Sequence, residues 1–266
     1  MTKIIKKSKH DKFYTKSEVS RYCLDILYKY TNEDFLYIEP AAGNGSIFNL
    51  IKYDKLGLDI EPECDVMKQD YLQWEYRPKN KENVVIITNP PFGNRNNLTN
   101  SFINKSMELG NTIAFILPKV YRKETLQNIF PNEWSLVEDV DLPKDSFLLD
   151  GIDYHVPAIF QIWIKEHPIN LRESNKDKLF TTDFSFGNKN NCEWFIFGAS
   201  PKNIIRSEFV NKNNRGYYFN ANEDVIEILK RIEWNKHSLS CVNGGVCWYT
   251  KQMIIDIYIG EFGNVA

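Results

Sequence analysis

Four short apolar runs recur through the first two thirds of the chain, at 35–38, 56–60, 84–87 and 113–117, each bounded by Gly, Pro or Asn. Their length and β-branched content predict strands. Between them the apolar positions change to helical spacing. Val19, Cys23, Leu24 and Leu27 mark a helix over 17–30 with Ser17 as its cap, and Phe102, Ile103 and Met107 mark another over 101–109 that Gly110 stops. Strands alternating with helices predict a parallel sheet.

The pattern then changes. Segments 134–142 and 154–164 read as two strands joined through 143–153, an antiparallel hairpin closing the edge of a mostly parallel sheet. A polar stretch at 170–178 reads as a linker, and the Asn-, Phe- and Tyr-rich remainder as a smaller α+β module. The expected architecture is therefore α/β, with one domain over 1–168 and a second over 169–266.

Composition narrows the class. The chain has 266 residues, 42% hydrophobic and 26% charged, as expected of a globular protein able to bury a sizeable core. No apolar run reaches the ~20 residues of a membrane span, and the N-terminal segment lacks the apolar stretch of a secretory signal, so an intracellular (cytoplasmic) protein is expected. The five cysteines are scattered without a C-x-x-C pair, and the four histidines form no ligand-spaced cluster, so neither a disulfide framework nor a metal site is expected. Net charge is −2, but it divides unevenly: +4 over 1–12, −7 over 13–168 and +1 over 169–266. A polyanion partner would have to use local clusters, because the whole is not basic.

The first strand runs into Glu39-Pro-Ala41-Ala-Gly43-Asn-Gly45-Ser46, with a helix expected over 47–52. Glycines here let the backbone pass close beneath a ligand at the carboxyl end of the sheet. The loop lacks the Lys-Ser/Thr pair of a phosphate-cradling loop and the third glycine of G-x-G-x-x-G. Alone, it serves equally well as a tight turn. Asp59 at the end of the second strand can accept both ribose hydroxyls of an adenosine. Asp70 follows where the chain would reach an adenine amino group. Three such features in this order point to an adenosine-containing ligand.

The most specific feature is 84–93, where an apolar strand enters Asn89-Pro90-Pro91-Phe92. Consecutive prolines end the strand and offer carbonyls without N–H donors. An exocyclic amine needs such a turn. The Asn89 side-chain oxygen and the Pro90 carbonyl can each take one N–H, drawing the nitrogen toward a tetrahedral state and exposing its lone pair. Phe92 offers a ring face to a planar base.

Together, Glu39 to Gly45, Asp59, Asp70 and Asn89-Pro-Pro-Phe92 resemble the S-adenosylmethionine-dependent amino-methyltransferases. The similarity is greatest to the N6-adenine group whose cofactor motifs precede the catalytic one. Upstream, Phe13-Tyr14-Thr15 before a helix resembles that group's N-terminal cofactor motif, whose backbone and hydroxyl groups contact the methionine end. The resemblance spans about 12–165 and implies a Rossmann-like methyltransferase sheet. It also implies S-adenosylmethionine as cofactor, with Ala41, Ile60 and Tyr71 completing its contacts, and no metal. Phe147, in Leu142-Pro-Lys-Asp-Ser-Phe147, matches an aromatic that packs against a flipped base. A Phe at position 92, where bacterial DNA enzymes of this group more often carry Tyr, also occurs in RNA adenine methyltransferases.

Substrate recognition then falls to Arg95 in a polar loop and to Lys202, Arg206 and Arg215 in the C-terminal module, basic groups interleaved with amides and aromatics. The expected function is site-specific DNA N6-adenine methylation, as the modification half of a restriction system or as a stand-alone phage-borne enzyme. DNA is favoured over RNA as the nucleic acid, and a partner subunit is compatible with so small a recognition module. Two alternatives stay open: transfer to RNA adenine or protein glutamine, and a noncatalytic methyltransferase-like subunit.

Overall fold

The computed structural model describes residues 13–92, 96–172, 174, 178–237 and 248–263. The chain divides into two compact units, Met1–Asn175 and Lys176–Ala266.

The first unit begins with β1 (Tyr14–Thr15), α1 (Ser17–Leu27), β2 (Leu36–Glu39), β3 (Lys55–Asp59), β4 (Met67–Lys68) and β5 (Val84–Thr88). It continues with α2 (Asn97–Leu109), β6 (Thr112–Pro118), α3 (Glu124–Gln127), β7 (Trp134–Asp141), β8 (Phe147–Leu149), β9 (Ile152–Tyr154) and β10 (Ala158–Lys165). Seven strands form the central sheet in the order β4-β3-β2-β5-β6-β10-β7. Pairing is parallel from β4 through β6, and β10 runs antiparallel to both β6 and β7. This is a Rossmann-like, mostly parallel sheet with a final antiparallel pair.

Every residue of β5 and of β6 is buried, as expected of central strands covered on both faces. Ile38, Ile86, Phe102, Ile103, Phe115 and Trp163 lie in one core cluster with Phe130. The Phe130 and Trp163 rings stack at 3.9 Å. Over Trp163 lies the guanidinium of Arg172, which donates to the carbonyls of Trp134 (3.0 Å), Phe130 (2.7 Å) and Pro131 (2.6 Å).

Three local expectations are corrected. The helix expected over 47–52 is a single 3-10 turn, Phe48–Leu50, closed when the Lys55 ammonium donates to the Phe48 and Ile51 carbonyls at 2.9 and 3.0 Å. Helix α1 starts at Ser17 but is capped by extended Lys16, with no side-chain cap. The closing hairpin is more elaborate than expected. Its return strand β10 inserts between β6 and β7, leaving β7 at the edge, and the connection carries a second hairpin, β8–β9. Asp150 (φ 51°) and Gly151 (φ 77°) turn that hairpin, both in the left-handed region that two-residue hairpin turns require. Strand β8 also pairs with β1, giving a three-stranded sheet in the order β1-β8-β9.

The second unit has an antiparallel sheet of β11 (Phe184–Gly187), β12 (Trp194–Phe197), β13 (Ser200–Arg206) and β14 (Gly216–Ala221), ordered β11-β14-β12-β13. Helices α4 (Glu223–Arg231) and α5 (Lys251–Phe262) pack their apolar residues, Val225, Ile226, Leu229, Ile254 and Tyr258, with Phe184, Trp194, Ile196 and Phe219 of the sheet. Asn222 caps α4 and Thr250 caps α5 through their side-chain oxygens. Among the described residues no helix is long and apolar enough to cross a membrane.

Arg172→Met removes the guanidinium from over Trp163 and takes the side-chain donor from the buried Phe130 and Trp134 carbonyls, while the Pro131 carbonyl keeps the Trp134 amide. A loss of about 2–3 kcal/mol is expected, the cost of unsatisfied buried groups, read as a lower urea midpoint with an unchanged slope.

Candidate active site

Strand order reverses between β2 and β5, since β3 continues on one side of β2 and β5 lies on the other. At such a switch point the connections leave in opposite directions, and a crevice opens beyond the carboxyl ends of the two strands. Glu39 ends β2 and Thr88 ends β5, so the glycine loop and Asn89-Pro-Pro-Phe92 leave adjacent parallel strands at the same end of the sheet.

The glycine loop is stitched to β3 by its own backbone. The Ala42 amide donates to the Leu58 carbonyl (2.9 Å), the Gly43 amide to Asp59 Oδ2 (2.7 Å), and the Glu63 amide to the Gly43 carbonyl (3.0 Å). Asp59 Oδ1 takes the Glu61 amide at 2.7 Å. Gly43 (φ 52°) and Gly45 (φ 79°) occupy left-handed conformations. A Cβ on Gly43 would lie 3.1 Å from the Tyr14 ring, so this ring packs directly over the loop.

Asp59 therefore holds the loop closed, a task its sequence position did not reveal. Each carboxylate oxygen carries two lone pairs, so one acceptor site per oxygen remains beyond these amides. Ile60 beside it is 66% exposed, while Ala41 is partly buried against the core. Asp70 caps the next turn by accepting the Leu72 amide at 2.9 Å. Tyr71 is different. Its ring is buried against Phe102 and its hydroxyl meets Ser106 Oγ at 2.8 Å, which makes it a core residue rather than a crevice contact.

Glu39 is 2% exposed, and its Oε2 has no hydrogen-bond partner among the described residues. Burial raises its pKa well above the ordinary 4.5 and the neighbouring Asp59 charge adds to this, while the Phe48 amide and the Lys55 charge oppose it. Two buried carboxyl groups thus share the end of the sheet, one held by amides on both oxygens and the other with Oε2 unpartnered among the described residues.

Asn89 is half-buried and is followed by a buried Pro90, an exposed Pro91 and a half-buried Phe92. Asn89 Nδ2 donates to Thr15 Oγ1 at 3.2 Å and to the Phe13 carbonyl at 3.4 Å. The Thr99 hydroxyl of α2 lies 3.1 and 3.2 Å from the Pro91 and Phe92 carbonyls, tying down the end of the turn and leaving aside the Pro90 carbonyl.

The segment 13–15 spans both halves of this site. Thr15, 3% exposed, pairs with Phe147 and Tyr14 with Leu148. The Phe13 ring stacks on Tyr154 at 5.0 Å. The Tyr14 hydroxyl donates to Glu63 Oε1 at 2.5 Å, and burial together with that carboxylate pushes its pKa up. Sequence reasoning placed 13–15 near the ligand but missed Glu63, Tyr154 and Thr99. The partners of Glu63 and Tyr154 are far away in the chain, and Thr99, though only seven and eight residues from the carbonyls it meets, reads in the sequence as an ordinary helix residue.

Of the expected substrate contacts, Phe147, which pairs with Thr15, is 1% exposed, so its ring offers no open face to a base. Arg95 lies outside the described residues. In the second unit, Lys202 and Arg215 are exposed, and Arg215 donates to the Lys212 and Asn214 carbonyls. Arg206 is already committed: it lies over the Trp194 ring and pairs with Glu193 (3.0 Å) and Glu223 (2.7 Å).

No protein-family model and no curated protein matches the chain. Solved structures resemble it. A proposed type I restriction-enzyme modification subunit from Vibrio vulnificus aligns at 15% identity and TM-score 0.46, over 61% of this chain and 46% of that one. A proposed RNA methyltransferase from Pyrococcus horikoshii aligns at 16% identity and TM-score 0.44, over 61% and 94%. Magnesium protoporphyrin IX methyltransferase from Synechocystis, solved with bound S-adenosylmethionine, aligns at 12% identity and TM-score 0.40, over 56% and 78%. The chain spans less than half the length of the Vibrio protein.

The buried Glu39 carboxyl sets a pH dependence of stability. Below pH 4.5 both folded and unfolded chains hold its proton and the buried neutral form contributes in full. As pH rises toward the raised folded value, the unfolded chain loses its proton first and this contribution is lost. The stability of wild type relative to Glu39→Gln should therefore decline from pH 4.5 upward, as read from urea midpoints across pH 4.5–8.

Proposed function

We propose that this chain is an S-adenosylmethionine-dependent methyltransferase acting on an exocyclic amine, specifically the N6 amine of adenine in DNA. The observation that carries the proposal is the orientation of Asn89. The Phe13 carbonyl can only accept a hydrogen bond, so the nitrogen of the Asn89 amide must face it. The side-chain oxygen is thereby turned away from 13–15 as an acceptor at the end of β5, beside the Pro90 carbonyl.

The residues of the crevice suit the cofactor. Asp59 keeps acceptor capacity for ribose hydroxyls, exposed Ile60 beside it gives an apolar surface for the adenine, and Asp70 follows in the order expected for its amino group. Gly43, under the Tyr14 ring, leaves the backbone free of a Cβ where the methionine end would lie, next to Phe13, Tyr14 and Thr15. When bound, the cofactor supplies an activated methyl group on a sulfonium. The protein's own part is positioning: Asn89 Oδ1 and the Pro90 carbonyl take the two amine protons in hydrogen bonds, and Phe92 holds the plane of the base. Neither a metal nor a covalent nucleophile enters this scheme.

The preference for DNA rests on motif order, with the recognition module following the catalytic unit. A base in a duplex must leave the stack to reach Asn89. Arg95, Lys202 and Arg215 are the candidates for phosphate contacts, whereas the two ion pairs of Arg206 leave it a smaller share. With few phosphates neutralised, binding should depend weakly on salt, with a slope near −0.9 for each one.

Tritium transfer from labelled S-adenosylmethionine to duplex DNA, single-stranded DNA, RNA and protein, followed by nucleoside analysis, tests the proposal. N6-methyladenine in DNA is expected. Label only in RNA or protein would move the activity to another substrate. Asn89→Ala should lower turnover by roughly 100-fold or more, the effect of removing one preorganised polar group, while leaving cofactor affinity nearly unchanged. Asp59→Ala should weaken cofactor binding by about 1.5–3 kcal/mol, measured by calorimetry.

A further inference from the structure

The Thr15 hydroxyl faces the side-chain nitrogen of Asn89 at 3.2 Å. Thr15 is 3% exposed, so water does not compete freely for that contact. Its backbone is fixed from several sides. Thr15 pairs with Phe147, the Lys16 amide donates to the Ser146 carbonyl (3.0 Å), and the Lys16 ammonium pairs with Asp153 (2.7 Å). Phe13, which supplies the second acceptor for Asn89, is held by its stack on Tyr154. The three-stranded sheet thus works as a jig for one side-chain amide.

An Asn amide can sit in either of two orientations that differ only in which end is N and which is O. The longer 3.4 Å contact to the Phe13 carbonyl is a weak hold by itself. The Thr15 oxygen is the closer of the two partners. With its lone pair given to Asn89, the hydroxyl acts on the acceptor that receives the amine rather than chiefly on the cofactor.

We propose that Thr15 is a positioning residue for Asn89: the acceptor-only Phe13 carbonyl decides which end of the amide faces 13–15, and the closer, buried Thr15 hydroxyl holds the amide there, so that Oδ1 stays presented to the substrate amine. The inference rests on the proposed amine transfer for its catalytic consequence, but not for the contact itself. Thr15→Val removes the acceptor at nearly constant volume, and Thr15→Ser keeps it.

The test has two arms on the full chain. In the first, selective 15N-asparagine labelling, with Asn89→Asp used to identify the Asn89 side-chain signals, follows those NH2 protons by NMR. Thr15→Val should shift them and speed their exchange, whereas Thr15→Ser should leave them near their wild-type positions. In the second, turnover on unmethylated mixed-sequence DNA should fall about tenfold in Thr15→Val with S-adenosylmethionine affinity within about twofold of wild type, and Thr15→Ser should recover most of the rate; these figures follow the usual worth of one buried hydrogen bond. Unmoved Asn89 signals in Thr15→Val would overturn the proposal. So would a loss confined to cofactor affinity, which would make Thr15 a direct cofactor contact. If wild type transfers no methyl group to any polymer, the methyltransferase assignment fails while the NMR arm still decides the contact.

Discussion

The reversal of strand order between β2 and β5 is the constraint on which the rest of the first unit depends. Crossover connections between parallel strands are right-handed, so chains leaving β2 and β5 toward opposite edges must separate above the sheet. A gap at the strand ends follows whatever the side chains are. The sequence fills it with a glycine loop, a carboxylate that holds the loop shut, and a proline turn that cannot continue the strand. Each would be a commonplace feature elsewhere. At this gap they converge.

The central strands could be read in the sequence because burial on both faces leaves them uninterrupted. Val84 to Thr88 and Thr112 to Pro118 have no exposed residue. Asn89-Pro-Pro-Phe92 was equally legible, since two prolines after such a run have few structural alternatives. What could not be read were tasks set by distant partners. Asp59 shows its anchoring of the Gly43 amide only once β2 and β3 lie side by side. Tyr71 and Phe147 stood next to site residues in the sequence, yet each turned inward. A neighbour in a loop points wherever local backbone geometry sends it, and one residue of offset is enough to exchange crevice for core. The 3-10 turn after the loop failed as a helix for a similar reason, because Lys55 from the next strand closed it early.

Charge tells a related story in the second unit. Arg206 looked available because basic residues recur around it, but Glu193 and Glu223 neutralise it across the sheet and the helix start. Counting Lys and Arg along a segment overstates the field that an approaching polyanion meets. The ion pairs that cancel it reach from a strand to a neighbouring strand and to a helix start, and are invisible to a linear count.

The three-stranded sheet has a kinetic side. Strand β1 is two residues long and joins β8 from the far end of the same unit. Closing so long a loop for so few backbone bonds delays the pairing until the central sheet exists. The same small number of bonds makes this pairing one of the cheapest parts of the unit to open locally. The grip on the Asn89 amide would then be completed late in folding and given up early on warming. Heat would disarm the site while the core strands beneath it stayed intact.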